Sequence, residues 1–294
     1  MSRTHETATD RNRRGLLPRL LTSLLGLGLI ASLFAAATLS SPQASQKPEN
    51  TISDQYELVG CIGYCSYPRN AGKVFRWGRE LWRDEFETGA FPRTWKANHP
   101  RLIGMQHGMF TIKAPSTVQK VVTWRETHRA AYGRWEARVR AVELGAGRQF
   151  KFTWQLVPAN PNTCTDNKIV LASYTPGDRL VRGMVQNAHT GKRFVFAKPL
   201  DLRSRAWHAY AVEVTKTHIS WFVDTRVVRT ERRPAALSGT KWKPEFVIES
   251  TARSHNRSSW LQMDWVRHYT LDRPNAKSIN APRMLGLNFK PNCG

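Results

Sequence analysis

Helix is what this sequence most conspicuously lacks. After residue 40 no apolar stripe of helical period runs long enough to bury one face of a helix. Acid is the second shortage: 22 Asp and Glu stand against 45 Lys and Arg in 294 residues, a formal charge of +23. Such an excess favours anionic partners, whether acidic polysaccharide, teichoic-type polymer, phospholipid surface or nucleic acid. The basic residues are scattered rather than gathered in a tract, and no aromatic–basic nucleic-acid motif is present, so no specific nucleic-acid partner is expected. Cysteine is sparse, with only Cys61, Cys65, Cys164 and Cys293. The absence of a second close Cys pair argues against a zinc site. No metal-ligand His spacing, catalytic Ser elbow or phosphate loop occurs, so no metal and no cofactor is expected. There is no internal repeat and no second composition regime, which leaves one domain and, as the expected state, a monomer.

What is present points to a packed β protein. Hydrophobic residues make up 40% and aromatic residues 10%, which excludes global disorder, and eleven Trp suit a wide core or a sugar-stacking surface. Phe110–Lys113, Trp135–Arg140, Ala209–Val214 and Ile219–Val223 alternate apolar and polar residues with period two, the pattern of half-buried antiparallel strands. Many short strands separated by Gly, Pro and Asn predict an all-β sandwich or barrel.

The N-terminus reads as an export segment. Basic residues from Arg11 to Arg19 precede an apolar run from Leu20 to Leu39, and Ala35-Ala36-Ala37 suits a cleavage site. Arg13-Arg14 loosely resembles a twin-arginine signal. The run is also about as long as a bilayer span, so residues 1–37 are either a cleaved signal or a membrane anchor. That segment carries five Arg against Glu6 and Asp10, and the remainder therefore keeps +20. Residues 38–56 form a polar linker, 57–270 the domain, and 271–294 a loop-like C-terminal segment that Cys293 would pin back. The protein is expected to be secreted or cell-wall associated, or membrane-anchored with its domain outside. An even Cys count in an exported chain suggests two disulfides, in any of three pairings.

Several segments, in their order, resemble glycoside hydrolase family 16, the laminarinase and lichenase group. They are Trp82–Phe86, Gly108–Ala114, Tyr132–Val139, Trp207–Glu213, Trp221–Asp224 and Met263–Tyr269. The resemblance implies two curved antiparallel sheets in a jelly roll of the concanavalin A-like type, with a sugar cleft on the concave face. In that family one strand, E-I-D-I-M-E-Y, supplies the nucleophile, an assisting Asp and the acid/base. Alternation puts residues i and i+2 on one face, and one bulged residue returns i+5 to it.

The matching stretch here is Lys168-Ile169-Val170-Leu171-Ala172-Ser173-Tyr174. Lys168 stands at the nucleophile, Val170 at the Asp and Ser173 at the acid/base. Asp166 is the sole acid between Asn160 and Gly177, so no register places two carboxylates on that strand. Where the family reads G-F-W-P-A-F-W, this chain has Gln149-Phe150-Lys151-Phe152-Thr153-Trp154-Gln155, and Lys151 replaces a sugar-stacking Trp. The expected carbohydrate-binding residues are Lys151, Trp154, Glu136, Lys168, Ser173, His189 and Glu249. Together these readings predict an exported protein that binds a polysaccharide, in particular an anionic one, without hydrolysing it. The alternative is an active hydrolase or transglycosylase with relocated carboxylates, for which Glu136 and Glu249 are candidates.

The intact mass of the exported protein, taken without reductant, is expected to match a chain starting near Thr38 with all four cysteines oxidised. A mass that begins at Met1, or that carries free thiols, would contradict this reading.

Overall fold

The computed structural model describes residues 70–145, 150–160, 164, 166–251 and 258–272. The expected export segment and linker, Cys61, Cys65, Cys293 and the C-terminal segment beyond residue 272 lie outside the described residues; Cys164 lies within them and is buried.

The alternation seen in the sequence becomes two antiparallel sheets, a jelly-roll sandwich. One sheet has eight strands. Across it run β13 (Arg226–Glu231), β12 (Ile219–Val223), β11 (His208–Val214), β6 (Gly133–Leu144), β15 (Ser258–Tyr269), β4 (Met109–Ala114) and β3 (Ile103–Gln106). The eighth, β1 (Glu80–Asp84), pairs with the far end of β15. The other sheet has seven strands in the order β10 (Lys192–Pro199), β9 (Leu180–Asn187), β8 (Lys168–Tyr174), β7 (Phe150–Pro158), β14 (Trp242–Ser250), β5 (Lys120–Arg125) and β2 (Trp95–Ala97). Consecutive strands often lie apart in the sheets, β6 beside β11 and β15, β7 beside β14, as Greek-key connections require.

Each strand sends alternate residues inward. On β7 Phe150, Phe152, Trp154 and Leu156 are buried, while Lys151 between them is exposed. Trp154 stacks on Phe246 with centroids 5.4 Å apart and planes 10° from parallel. Trp95, Phe86 and Phe110 close the same core farther along. Trp221 and Trp265 are buried, 1% and 4% exposed. Trp221 lies between the sheets, whereas Trp265 on the outer side is capped by the Arg267 guanidinium 4.3 Å from its ring centroid.

A second, smaller core sits on the outside of the eight-stranded sheet. The helical turn α1 (Ala71–Val74) is capped by Asn70, whose Oδ1 accepts the Lys73 amide at 2.9 Å. The chain then lays Trp77 against Phe222 and Tyr269, at centroid distances of 5.1 and 5.5 Å. Beneath this segment Glu136 is fully buried and accepts the backbone N–H groups of both Ala71 and Gly72. The expectation that Glu136 lines a sugar site is thereby corrected. On β6 the even-numbered residues face away from the sandwich core, and here that outer side is covered by the chain's own residues 70–77.

Burial pushes the Glu136 carboxyl up to about 8, against the pull of the two backbone amides and Arg267. A folded pKa above the ordinary 4.5 means that folding favours the protonated form. The stability linked to this group is full below pH 4.5 and is lost as pH rises through about 8. Urea denaturation between those limits should show wild type losing stability relative to Glu136→Gln, at a slope of at most about 1.4 kcal/mol per pH unit. Parallel pH profiles would overturn this assignment.

Candidate functional site

The family resemblance places the site on the outer face of the seven-stranded sheet, and a single inserted residue organises that face. Along β8, Val170 opposes Gln155 and Ala172 opposes Trp154, so Leu171 has no counterpart on β7. The same shift recurs against β9, where Val170 opposes Met184 and Ser173 opposes Arg182. A one-residue bulge makes two successive side chains point the same way. Leu171 and Ala172 accordingly both enter the core. Lys168 and Val170 before the bulge, and Ser173 after it, then share the outer face with Thr153 and Gln155. The i, i+2, i+5 geometry drawn from the resemblance is therefore present, with Lys, Val and Ser in its three positions.

Two features hold the bulge. The Trp221 indole N–H reaches across the core from the opposite sheet and donates to the Val170 carbonyl at 3.0 Å. Gly183 faces it from β9, where a Cβ would lie 3.0 Å from the Val170 oxygen and 2.3 Å from the Phe196 ring. Only glycine lets β9 and the Phe196 side chain close over the bulge at that distance.

From the bulge a row of side chains crosses the sheet. Met184, Val170, Gln155, Glu245, Trp124 and Lys96 oppose one another on successive strands. Gln155 Nε2 donates to Glu245 Oε1 at 2.7 Å. Burial raises the Glu245 carboxyl above its ordinary value, while Gln155, Lys120, Lys243 and Lys168 counteract part of the rise. Glu126, beyond Trp124, is held the other way. Burial would raise it, but the Trp124 indole N–H at 2.6 Å, Lys243 and Arg129 together leave it lowered. On one side of the row Ser173 Oγ and Thr153 Oγ1 lie 3.1 Å apart. At the end of the face Glu249 joins Lys151 and Lys120, at 3.5 and 3.9 Å.

The residues named from the sequence therefore divide. Lys151, Lys168, Ser173 and Glu249 come together on the face. Trp154 does not: it is 2% exposed and stacked in the core, where no sugar can reach it, which corrects the expectation for that residue. Its phase on β7 is opposite to that of Lys151, so the two could never have shared one face. His189 is exposed in the turn between β9 and β10, beyond the sheet's end, with its amide donated to Asn187 Oδ1 at 3.1 Å. Gln155, Glu245, Trp124 and Lys243 belong to the face and were not expected there. A signal existed for two of them. Gln155 is in phase with Lys151, and Glu245 is in phase with Glu249.

Chemically, the face offers ammonium groups, amide and hydroxyl donors and one half-exposed indole. Its three family positions carry no carboxylate. An ammonium at Lys168 cannot attack an anomeric carbon that is turning cationic, and a Ser173 hydroxyl is far too weak an acid to protonate a leaving group.

No protein-family model and no curated protein matches the sequence. Solved structures do match the fold. The laminarinase of Rhodothermus marinus superposes with a TM-score of 0.54 at 18% identity, covering 65% of this chain and 97% of that one. The endo-1,3-beta-glucanase catalytic domain of Thermotoga petrophila gives 0.55 at 14% identity, covering 66% and 98%. A structure described under endo-acting O-glycanases of the human gut microbiota that initiate mucin breakdown gives 0.57 at 15%, covering 66% and 100%. This chain has the jelly-roll fold of the family 16 glucanases.

Trp221→Phe should leave the Val170 carbonyl buried without its donor. The expected cost is about 1–3 kcal/mol in urea denaturation, the usual penalty for an orphaned buried acceptor. An unchanged midpoint would mean that the bulge does not depend on this bond.

Proposed function

We propose that the protein is an exported polysaccharide-binding protein that uses the outer face of the seven-stranded sheet and does not hydrolyse what it binds. One observation carries the reading. The bulge that aligns three side chains on this face is kept, and the side chains are Lys168, Val170 and Ser173. The scaffold supports a glycan as partner, since its structural neighbours include laminarinases and glucanases. The charge supports an anionic glycan. Lys168, Lys243, Lys120, Lys151, Lys96 and Arg182 share the face with Glu245, Glu249 and Glu126, which leaves cations in excess.

A relocated hydrolase has one observation in its favour, the raised Glu245 carboxyl, which would suit a general acid. Its natural partner fails on distance. Glu249 lies four residues along the same strand, about 13 Å at the usual rise per residue. Carboxyl pairs in glycosidases stand about 5–5.5 Å apart for retention and about 6.5–9.5 Å for inversion.

The purified protein should release no reducing ends from laminarin or mixed-linkage glucan. It should bind an acidic polysaccharide with an affinity that falls as salt rises, and Lys168→Ala should weaken that binding several-fold, about the loss of one charge-assisted hydrogen bond. Turnover that survives in Lys168→Ala and disappears in Glu245→Gln would establish the hydrolase instead.

A further inference from the structure

The opposite side of the sandwich carries a group of charges that the site above does not use. On the outer face of the eight-stranded sheet, the guanidinium carbons of Arg138 and Arg140 lie 4.8 and 4.6 Å from the ring centroid of Trp207. Arg205, two residues before that Trp, is exposed. Its backbone sits at φ +73°, a left-handed conformation that costs a non-glycine residue energy, and its amide is tied to the Ala141 carbonyl at 2.7 Å. Strain held in this way, directly beside stacked arginines, is what a positioned binding residue looks like.

The charges do not balance. Asp264 pairs with Arg138 at 2.7 Å. Among the described residues Arg140 has no carboxylate in ion-pair contact: its Nε donates to Gln262 Oε1 at 2.8 Å and one terminal nitrogen contacts the Met109 sulfur at 3.7 Å. Sulfur is a weak acceptor, so much of the guanidinium's donor capacity is unspent. Burial first, and then repulsion from Arg205 and Arg138, lowers the Arg140 pKa, and Asp264 offsets only part of that. A guanidinium stacked on an indole keeps its N–H edges in its own plane, and that fork fits a carboxylate or sulfate with two parallel hydrogen bonds.

We infer that Arg138 and Arg140, stacked on Trp207, together with the nearby exposed Arg205, form a second binding site for the carboxylate or sulfate groups of an acidic polysaccharide. The choice of a glycan as carrier rests on the proposed function; the oxyanion chemistry rests on this cluster alone. With Lys168 on one sheet and these arginines on the other, a long chain can be gripped on both faces, or two chains can be bridged by one molecule.

Calorimetric titration of the full-length exported protein with sodium polygalacturonate, dextran sulfate and neutral laminarin tests this. Arg140→Ala combined with Arg205→Asn, which tolerates positive φ, should weaken binding of at least one acidic polymer by about tenfold and flatten its salt dependence. Laminarin binding should not change. Arg205→Asn alone, at an exposed position, should keep the wild-type melting temperature and show part of the loss, which guards against misfolding of the double variant. Arg140→Lys should recover only part of the affinity, because it keeps the charge and loses the fork. Unchanged binding of both acidic polymers by the double variant would overturn the inference, and if Lys168→Ala weakens them at the same time the proposed function survives alone. A loss seen only on vesicles of anionic phospholipid would also overturn it, since the carrier would then be a membrane. Wild type that binds neither polymer would overturn both.

Discussion

The hydrogen bond from Trp221 to the Val170 carbonyl is the constraint on which the seven-stranded face depends. A strand without an insertion would turn Ser173 into the core and Ala172 out to solvent, because side chains alternate. The inserted residue reverses that phase after Val170, and its freed carbonyl needs a donor in a region from which water is excluded. The donor comes from β12 of the other sheet, and so the two sheets are coupled at this point. Gly183 completes the arrangement by letting β9 close over the bulge. The face is thus built by core packing, and it stays built whatever side chains occupy its outer positions.

That separation explains how a glucanase scaffold can carry such different chemistry. With Lys168, Val170 and Ser173 facing outward, Ile169, Leu171, Ala172 and Tyr174 on the same strand remain core members. The outer side chains then settle among themselves. Lys151 and Lys120 share Glu249, and Gln155 satisfies the half-buried Glu245. An excess of cation remains on the face.

The other sheet spends its outer charges differently. Towards the N-terminal segment, Arg134 pairs with Glu213 while donating to the Thr270 carbonyl at 2.7 Å, and His218 meets the same glutamate at 2.9 Å. Every one of these side chains is buried, and such a cluster tolerates no missing member. Glu136 beside it binds backbone rather than cation. At the far end, around Trp207, Arg140 is left with donors to spare.

Much of this was legible in the sequence, for a definite reason. Period-two alternation and the turn residues between strands depend on local sterics and on which side of a strand meets water. They announced an all-β sandwich, and the order of segments announced its jelly-roll topology. The change of phase at Leu171 was readable only by resemblance, and so were the three positions it aligns. What the sequence could not supply was which face each strand turns outward and what lies over it. Trp154 looked like a sugar platform and is core, because its phase is fixed by Phe246 across the sheet. Glu136 looked like a site residue and is a buried clamp, because a segment some sixty-five residues earlier in the chain folds back over it. Glu245 acquired its raised pKa from burial among neighbouring strands, against the pull of Gln155, and Arg140 its lowered one from burial and from the nearby Arg205 and Arg138. These properties arise between strands distant in the chain, and only the tertiary structure brings those strands together.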